Sequence, residues 1–360
     1  MEAARRLFYV GMTRAKTSLQ ISYGKENTDG KKQTKTQFID EILSKDLKID
    51  NRKLSNSEIL DAQMLMVSES SKPSIAQLSK AEADGLLENF VMSATALCRY
   101  LECPLSFYYE NVLKVPYTSS EAASYGTAVH YALKRLAERI HDPFYPEIPS
   151  YSMFFRDFEM DLERQKMHLQ PDQLERRRNL GKRDLPIYFK NRLEYFIGNK
   201  LIEAELEIRN VEVKGVPLKG AIDKIDKIER NEVRIIDYKT GKFRKEKVTP
   251  PNEKNPLGGD YWRQVVFYKI LLENFHSRNY RVTDGKIDYV EPDQKTGENH
   301  FATIDIQQKH VQTVTQQIVD TYEKIHELKF LLNNQSTLRS SWHYYYLNFS
   351  LSKFVKYTGI

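Results

Sequence analysis

The chain contains only two cysteines, Cys98 and Cys103, among 360 residues. That scarcity excludes a disulfide framework and fits a reducing compartment, so a cytoplasmic setting is expected. No apolar stretch approaches the roughly 20 residues of a transmembrane helix. The opening residues also lack a basic segment followed by an apolar run, which argues against a secretory signal. No internal repeat is present. Neither charge sign dominates: 55 Lys and Arg face 49 Asp and Glu, a formal charge of +6. Such a mild excess favours contact with a phosphate backbone without identifying one. Hydrophobic residues make up 40% and aromatics 11%, enough for more than one core at roughly 100–200 residues per domain.

Periodicity divides the chain. Arg5 to Leu43 reads as helix, turn, short strand and helix, ending in Thr36-Gln37-Phe38-Ile39-Asp40-Glu41-Ile42-Leu43. Residues 44–86 are rich in Ser, Lys, Asp and Asn with few apolar positions, the composition of a linker. Ser93 to Leu113 reads as helical and aromatic-rich. In Gly126 to Ile140, Val129, Leu133, Leu136 and Ile140 form one helical stripe. Tyr151 to Gly198 reads as charged helix. The period then shortens to two: Ile202, Ala204, Leu206 and Ile208 alternate with Glu203, Glu205, Glu207 and Arg209, the pattern of a half-buried strand with an acidic face. Strands are expected at Val216 to Ile228, after a Lys214-Gly215 turn, and at Val233 to Tyr238. A helix follows from Tyr261 to Phe275, then a hairpin around Gln294-Lys295-Thr296-Gly297 and a long helix from Gln307 to Leu332. The aromatic run Trp342 to Tyr357 has no assignable pattern. This order implies a mixed α/β core with helical insertions.

The sharpest chemical signal is Gly220-Ala221-Ile222-Asp223 followed by Asp237-Tyr238-Lys239-Thr240-Gly241-Lys242. Residues two apart on a strand share a face, so Asp237 and Lys239 point together and Tyr238 points away. Ile235 and Ile236 make that strand central, where uncompensated charge is costly. Asp223 and Asp237 have the hard oxygens that Mg²⁺ or Mn²⁺ prefers, and Lys239 could position water or neutralise charge growing on a phosphate. That combination points to phosphodiester hydrolysis. His130 could add an imidazole ligand. Glu203, Glu205 and Glu207 could each approach the same site, and alternation does not choose among them. Gln264 and Tyr268, four apart, share a helix face and could orient the lysine or touch substrate. Arg176-Arg177-Arg178 with Lys182 and Arg183 could contact phosphates or form a solvated helix face.

In order, these residues resemble the signature of RecB-type nucleases of the PD-(D/E)xK superfamily: a Gly-to-His helix, a Gly-x-x-Asp strand, an Asp-Tyr-Lys strand and Gln-x-x-x-Tyr. The resemblance spans roughly Ser93 to Phe275. It implies a restriction-endonuclease-like mixed sheet flanked by helices. It further implies metal ligation by His130, Asp223, Asp237 and the Tyr238 carbonyl, with Lys239 catalytic and Gln264 and Tyr268 completing the site. Glu203 best matches the family's additional acidic position. Ser93-Ala94-Thr95-Ala96-Leu97 through Cys103-Pro104-Leu105-Ser106-Phe107-Tyr108-Tyr109 is similar to the entrance helix of such nucleases. Some relatives hold a [4Fe–4S] cluster with four cysteines, a number this chain does not contain, so no iron–sulfur cluster is expected and both cysteines read as packing residues.

A second resemblance lies at Arg5-Arg6-Leu7-Phe8-Tyr9-Val10-Gly11-Met12-Thr13-Arg14-Ala15-Lys16, which is similar to the last motif of UvrD-type superfamily 1 helicases. Gln37-Phe38-Ile39-Asp40-Glu41 resembles the segment that follows it. In a complete motor, the position of Arg14 reaches the γ-phosphate of ATP. No Gly-x-x-x-x-Gly-Lys-Ser/Thr loop is present, so no ATP binding is expected. The implied organisation is a helicase remnant at 1–43, a linker at 44–86 and a nuclease domain at 87–360. The implied partners are DNA, absent helicase motor domains and a second helicase-nuclease subunit, with no membrane. The expected function is metal-dependent hydrolysis of DNA, of the exonuclease kind, during end processing and recombinational repair. A catalytically inactive DNA-binding or scaffolding module is the alternative.

Overall fold

The computed structural model describes residues 2–21, 23–24, 37–42, 55, 57–58, 80–115 and 120–328. It contains two compact units, one made of Met1–Gln77 with Asn334–Ile360 and the other of Leu78–Asn333. In the first, α1 (Glu2–Thr13) and α2 (Gln37–Ile42) are described. The Phe8 and Phe38 rings lie 5.6 Å apart, and Arg5 donates to both carboxylate oxygens of Glu41 at 2.8 and 2.9 Å. The short strand expected between these helices is absent among the described residues. The aromatic run at 342–357 and most of the expected linker fall outside them.

The second unit opens with α3 (Lys80–Leu87), whose Ala83 and Leu87 are buried, so the end of the expected linker is an ordered helix. Next come α4 (Ala94–Glu102) and α5 (Pro104–Phe107), which runs into a π-helical turn at Tyr108–Val112. The long helices are α6 (Glu121–His141), α7 (Tyr151–Arg164) and α8 (Pro171–Gly198). Serines start three of these helices: Ser93, Ser120 and Ser150 each accept a backbone N–H from three residues on, satisfying a donor that the first turn leaves unpaired. Val129, Leu133 and Leu136 of the predicted stripe are fully buried against α7 and α8 residues such as Phe154, Phe158 and Leu185.

Five strands follow in the spatial order of the sequence: β1 (Leu201–Val213), β2 (Val216–Glu229), β3 (Glu232–Lys239), β4 (Arg281–Tyr289) and β5 (Phe301–Asp305). β1–β2, β2–β3 and β4–β5 pair antiparallel; β3–β4 pairs parallel, bridged by α9 (Asp260–Glu273). The final described helix is α10 (Gln308–His326). The predicted Lys214-Gly215 turn has positive φ at both residues, 53° and 79°, as a tight two-residue hairpin requires.

The sheet is covered on both sides. Ile236, Tyr238 and Val290 join the cluster under α6, α7 and α8. A polar network also ties α8 to the sheet: Asp288 of β4 accepts from Tyr188 at 2.6 Å and from Arg192 at 3.0 Å, and all three are buried. Opposite, α9 lies so close that a Cβ on Gly285 would stand 2.2 Å from Val265, and one on Gly220 would stand 2.9 Å from Leu271 and 3.3 Å from Tyr268. The glycine of the Gly-x-x-Asp strand thus makes room for the helix that carries Gln264 and Tyr268.

Candidate active site

Three strands and two helices meet at the candidate centre. The register between β2 and β3 pairs Lys224 with Ile236, which sets the neighbouring Asp223 and Asp237 beside each other. The Asp223 carboxylate accepts the Tyr238 backbone N–H at 2.8 Å. From α6, whose start abuts the turn after β3 with Gly126 next to Thr240, the imidazole of His130 reaches within 3.4 Å of Asp223 Oδ1 and 3.9 Å of Glu205 Oε1. His130, Glu205 and Asp223 each offer one ligand atom, all within 4.8 Å of one another. An imidazole nitrogen with carboxylate oxygens is a donor set that suits a divalent cation such as Mg²⁺ or Mn²⁺.

Glu205, and not Glu203, stands at this centre. On β1, Glu203 pairs with Ile225 and Glu207 with Ala221, whereas Glu205 lies between the pairs Ala204–Lys224 and Leu206–Ile222 and is therefore level with Asp223. The Glu203 carboxylate is held 2.6 Å from Arg278, and Glu207 meets Arg209 in solvent. Glu205 also has φ of 56°, a left-handed backbone unusual for a non-glycine residue inside a strand. Cross-strand register, which alternation does not reveal, separates the three glutamates.

Asp237 and Lys239 share a face as expected, with Nζ 2.6 Å from Asp237 Oδ2. The amine donates to Gln264 Oε1 at 2.9 Å, and Gln264 Nε2 donates to the Tyr268 hydroxyl at 2.8 Å. The helical pair thus holds the lysine through one continuous chain of hydrogen bonds. Tyr261, one turn before Gln264 and not singled out by sequence, puts its ring 4.7 Å from Lys239 Nζ. Its i, i+3 spacing to Gln264 was the available signal.

Burial and charge shape the titration of the group. Burial pushes the Asp237 carboxyl up to about 6, with the Lys239 ammonium opposing and Asp223 adding to the rise. Burial, then the nearby Asp223 charge, also raises Glu205. For Asp223, burial acts upward but is outweighed by His130 and Lys239, and its carboxyl falls below the usual range. For Lys239, burial acts downward but Asp237 outweighs it, so the amine holds its proton more firmly than usual. The result is a cluster of acidic oxygens facing one another beside the Lys239 ammonium, an arrangement that a bound cation would stabilise.

The other sequence candidates fall elsewhere. The Arg176–Arg178 cluster is compensated by its own acids: Arg176 meets Asp172 and Glu121, Arg177 meets Glu121, and Arg178 meets Glu159, Glu163 and Glu175. Cys103 caps α5, accepting from Ser106, and Cys98 contacts Arg263 beside Asp260. No described helix is long and apolar enough to cross a membrane.

The chain belongs to the PD-(D/E)XK nuclease superfamily, whose family model matches residues 91–337. No curated protein matches it in sequence. Among solved structures it is similar to a candidate exonuclease from Eubacterium rectale, at 11% identity over 70% of this chain and 87% of that one, with a TM-score of 0.44. It is also similar to LHK-Exo in complex with dAMP, at 11% identity over 60% of this chain and 97% of that one, with a TM-score of 0.26.

Proposed function

We propose that this nuclease-superfamily chain is a divalent-metal-dependent deoxyribonuclease of the RecB type, acting as an exonuclease and natively coupled to a helicase in DNA end processing and recombinational repair. The observation that carries the hydrolytic reading is the convergence of Asp223, Asp237 and Lys239 with His130 and Glu205 at one end of the sheet. The helicase coupling rests on the resemblance of Arg5 to Lys16 to a motor's last motif.

His130, Glu205, Asp223 and Asp237, with the Tyr238 carbonyl, would hold Mg²⁺ or Mn²⁺. When bound, the cation polarises the scissile phosphate and makes water more acidic. Because Lys239 keeps its proton, it serves as a cationic donor to the charge that develops on phosphate oxygens rather than as a general base. Gln264 fixes the direction of that amine, and Tyr268 fixes Gln264. Water is the nucleophile.

The test is cleavage of end-labelled single- and double-stranded DNA with Mg²⁺, Mn²⁺ or EDTA, comparing the parent with Asp237→Ala and Lys239→Ala. Metal-dependent cleavage that disappears in both variants is the expected result. A correctly folded parent that binds DNA and never cuts, with or without a helicase motor added, refutes hydrolysis and leaves the scaffolding role.

A further inference from the structure

The segment that leaves β3 carries Lys242, Phe243, Arg244, Lys245 and Lys247 with Glu246 as its one acid. Unlike the compensated arginines of α8, Arg244, Lys245 and Lys247 make no ion pair among the described residues, and Lys242 reaches only Glu291, at 3.9 Å. Aromatic rings interleave with these cations. Lys247 Nζ lies 4.8 Å from the centre of the Tyr261 ring, which itself lies 4.7 Å from Lys239 Nζ. Tyr261 adjoins Tyr289 at 6.4 Å, Phe243 meets Tyr289 edge-on at 5.3 Å, and Phe243 stacks on His300 at 4.8 Å with ring planes 22° apart. Side chains therefore touch without a break from the catalytic amine to Phe243, which is 37% exposed, and to the exposed His300.

This strip is also held in place. The 3₁₀ turn Lys245–Val248 packs against the start of α9 so closely that a Cβ on Gly259 would stand 2.3 Å from the Lys247 carbonyl oxygen, and Gly259 donates its N–H to the Thr249 carbonyl at 2.9 Å. Arg244, Lys245 and Lys247, unpaired and set beside the exposed rings of Phe243 and His300 and the half-exposed ring of Tyr261, match a polymer that alternates phosphates with flat bases. Only an unpaired strand can offer its bases to such rings, because a duplex keeps them stacked inside.

We infer that Lys242 to Lys247, with Tyr261 and His300, form a track for single-stranded DNA leading into the active site, in which a base stacks on the Phe243–His300 pair and Arg244, Lys245 and Lys247 take the phosphates. The inference rests on the nuclease reading above and deepens it by assigning the strand form of the substrate.

The experiment uses the full chain with a fluorescein-labelled oligothymidylate and a blunt duplex of equal length, followed by anisotropy in EDTA, with cleavage in Mn²⁺ measured alongside. Phe243→Ala and Phe243→Leu are expected to weaken single-strand affinity by about tenfold while Phe243→Trp retains it, as base stacking predicts. Duplex affinity should not follow that order. The double variant Lys245→Ala/Lys247→Ala should lower the salt dependence of single-strand binding by about 1.4 in log–log slope, at about 0.7 for each phosphate that is no longer neutralised. Single-strand affinity that is indifferent to Phe243, or equal weakening on single strand and duplex, overturns the track, and if the parent still cuts DNA the nuclease reading survives that failure. Conversely, a parent that never cuts, with or without a helicase motor added, but binds single strands through Phe243 keeps the track and loses the hydrolytic reading.

Discussion

The carboxylate of Asp223 accepts the backbone N–H of Tyr238 at 2.8 Å. The acid of one strand is thereby fixed to the backbone between the two charged residues of the next, so Asp223, Asp237 and Lys239 behave as one rigid group whose spacing is set by the β2–β3 register.

Asp223→Asn separates structure from charge at this junction. The amide oxygen can still accept from Tyr238, so thermal unfolding should stay close to that of the parent, while cleavage falls by about 10²-fold or more, the scale of losing one electrostatic stabiliser of a transition state. A large drop in melting temperature would mean that Asp223 acts mainly by holding the strands.

Glu205→Gln and Glu203→Gln should differ although the residues are only two apart. The first removes a carboxylate beside Asp223 and His130 and should weaken Mn²⁺ binding by about tenfold or more, whereas the second disturbs an ion pair with Arg278 and should leave binding unchanged. Titration calorimetry with Mn²⁺ decides between them, and the reverse ranking would restore Glu203 to the site.

Proton and cation compete at Asp237. Burial raises this carboxyl to about 6, so its proton must leave before a cation can be held, and apparent Mn²⁺ affinity should rise as pH increases through that value. Each displaced proton corresponds to about a tenfold change per pH unit below its pKa, and the His130 imidazole, where burial acts downward but Asp223 outweighs it and raises the group, carries the rise further. Calorimetry from about pH 5 to about pH 8 tests this sign, and an affinity that falls with pH contradicts it.

Asp288 provides a stability counterpart away from the reacting groups. Burial pushes its carboxyl up to about 6 against the opposing pull of Arg192 and Tyr188. A carboxyl raised above its unfolded value of about 3.9 contributes stability that is complete below that pH and is lost as pH rises through the folded value. Asp288→Ala leaves the buried Arg192 without its acid and should destabilise the domain by about 3–5 kcal/mol in urea unfolding near neutral pH. Adding Arg192→Leu should recover much of that loss; a single variant as stable as the parent would show that the ion pair does not anchor α8.

The sequence by itself determined most of the local structure. Three-to-four-residue spacing at Val129, Leu133 and Leu136, alternation along β1 and a Lys-Gly turn are all short-range signals, and each lies in the element expected. The same locality put Asp237 and Lys239 on one face and Gln264 and Tyr268 on another. Only tertiary structure decided which glutamate joins them, because strand register depends on pairing between residues distant in sequence, and it sets Glu205 level with Asp223 while giving Glu203 to Arg278. It also decided which basic cluster keeps its charge. Arg176, Arg177 and Arg178 are the denser run, but folding surrounds them with Glu121, Glu159 and Glu163 from neighbouring helices. Charge density can be read along a chain, whereas neutralisation depends on what the fold brings alongside it.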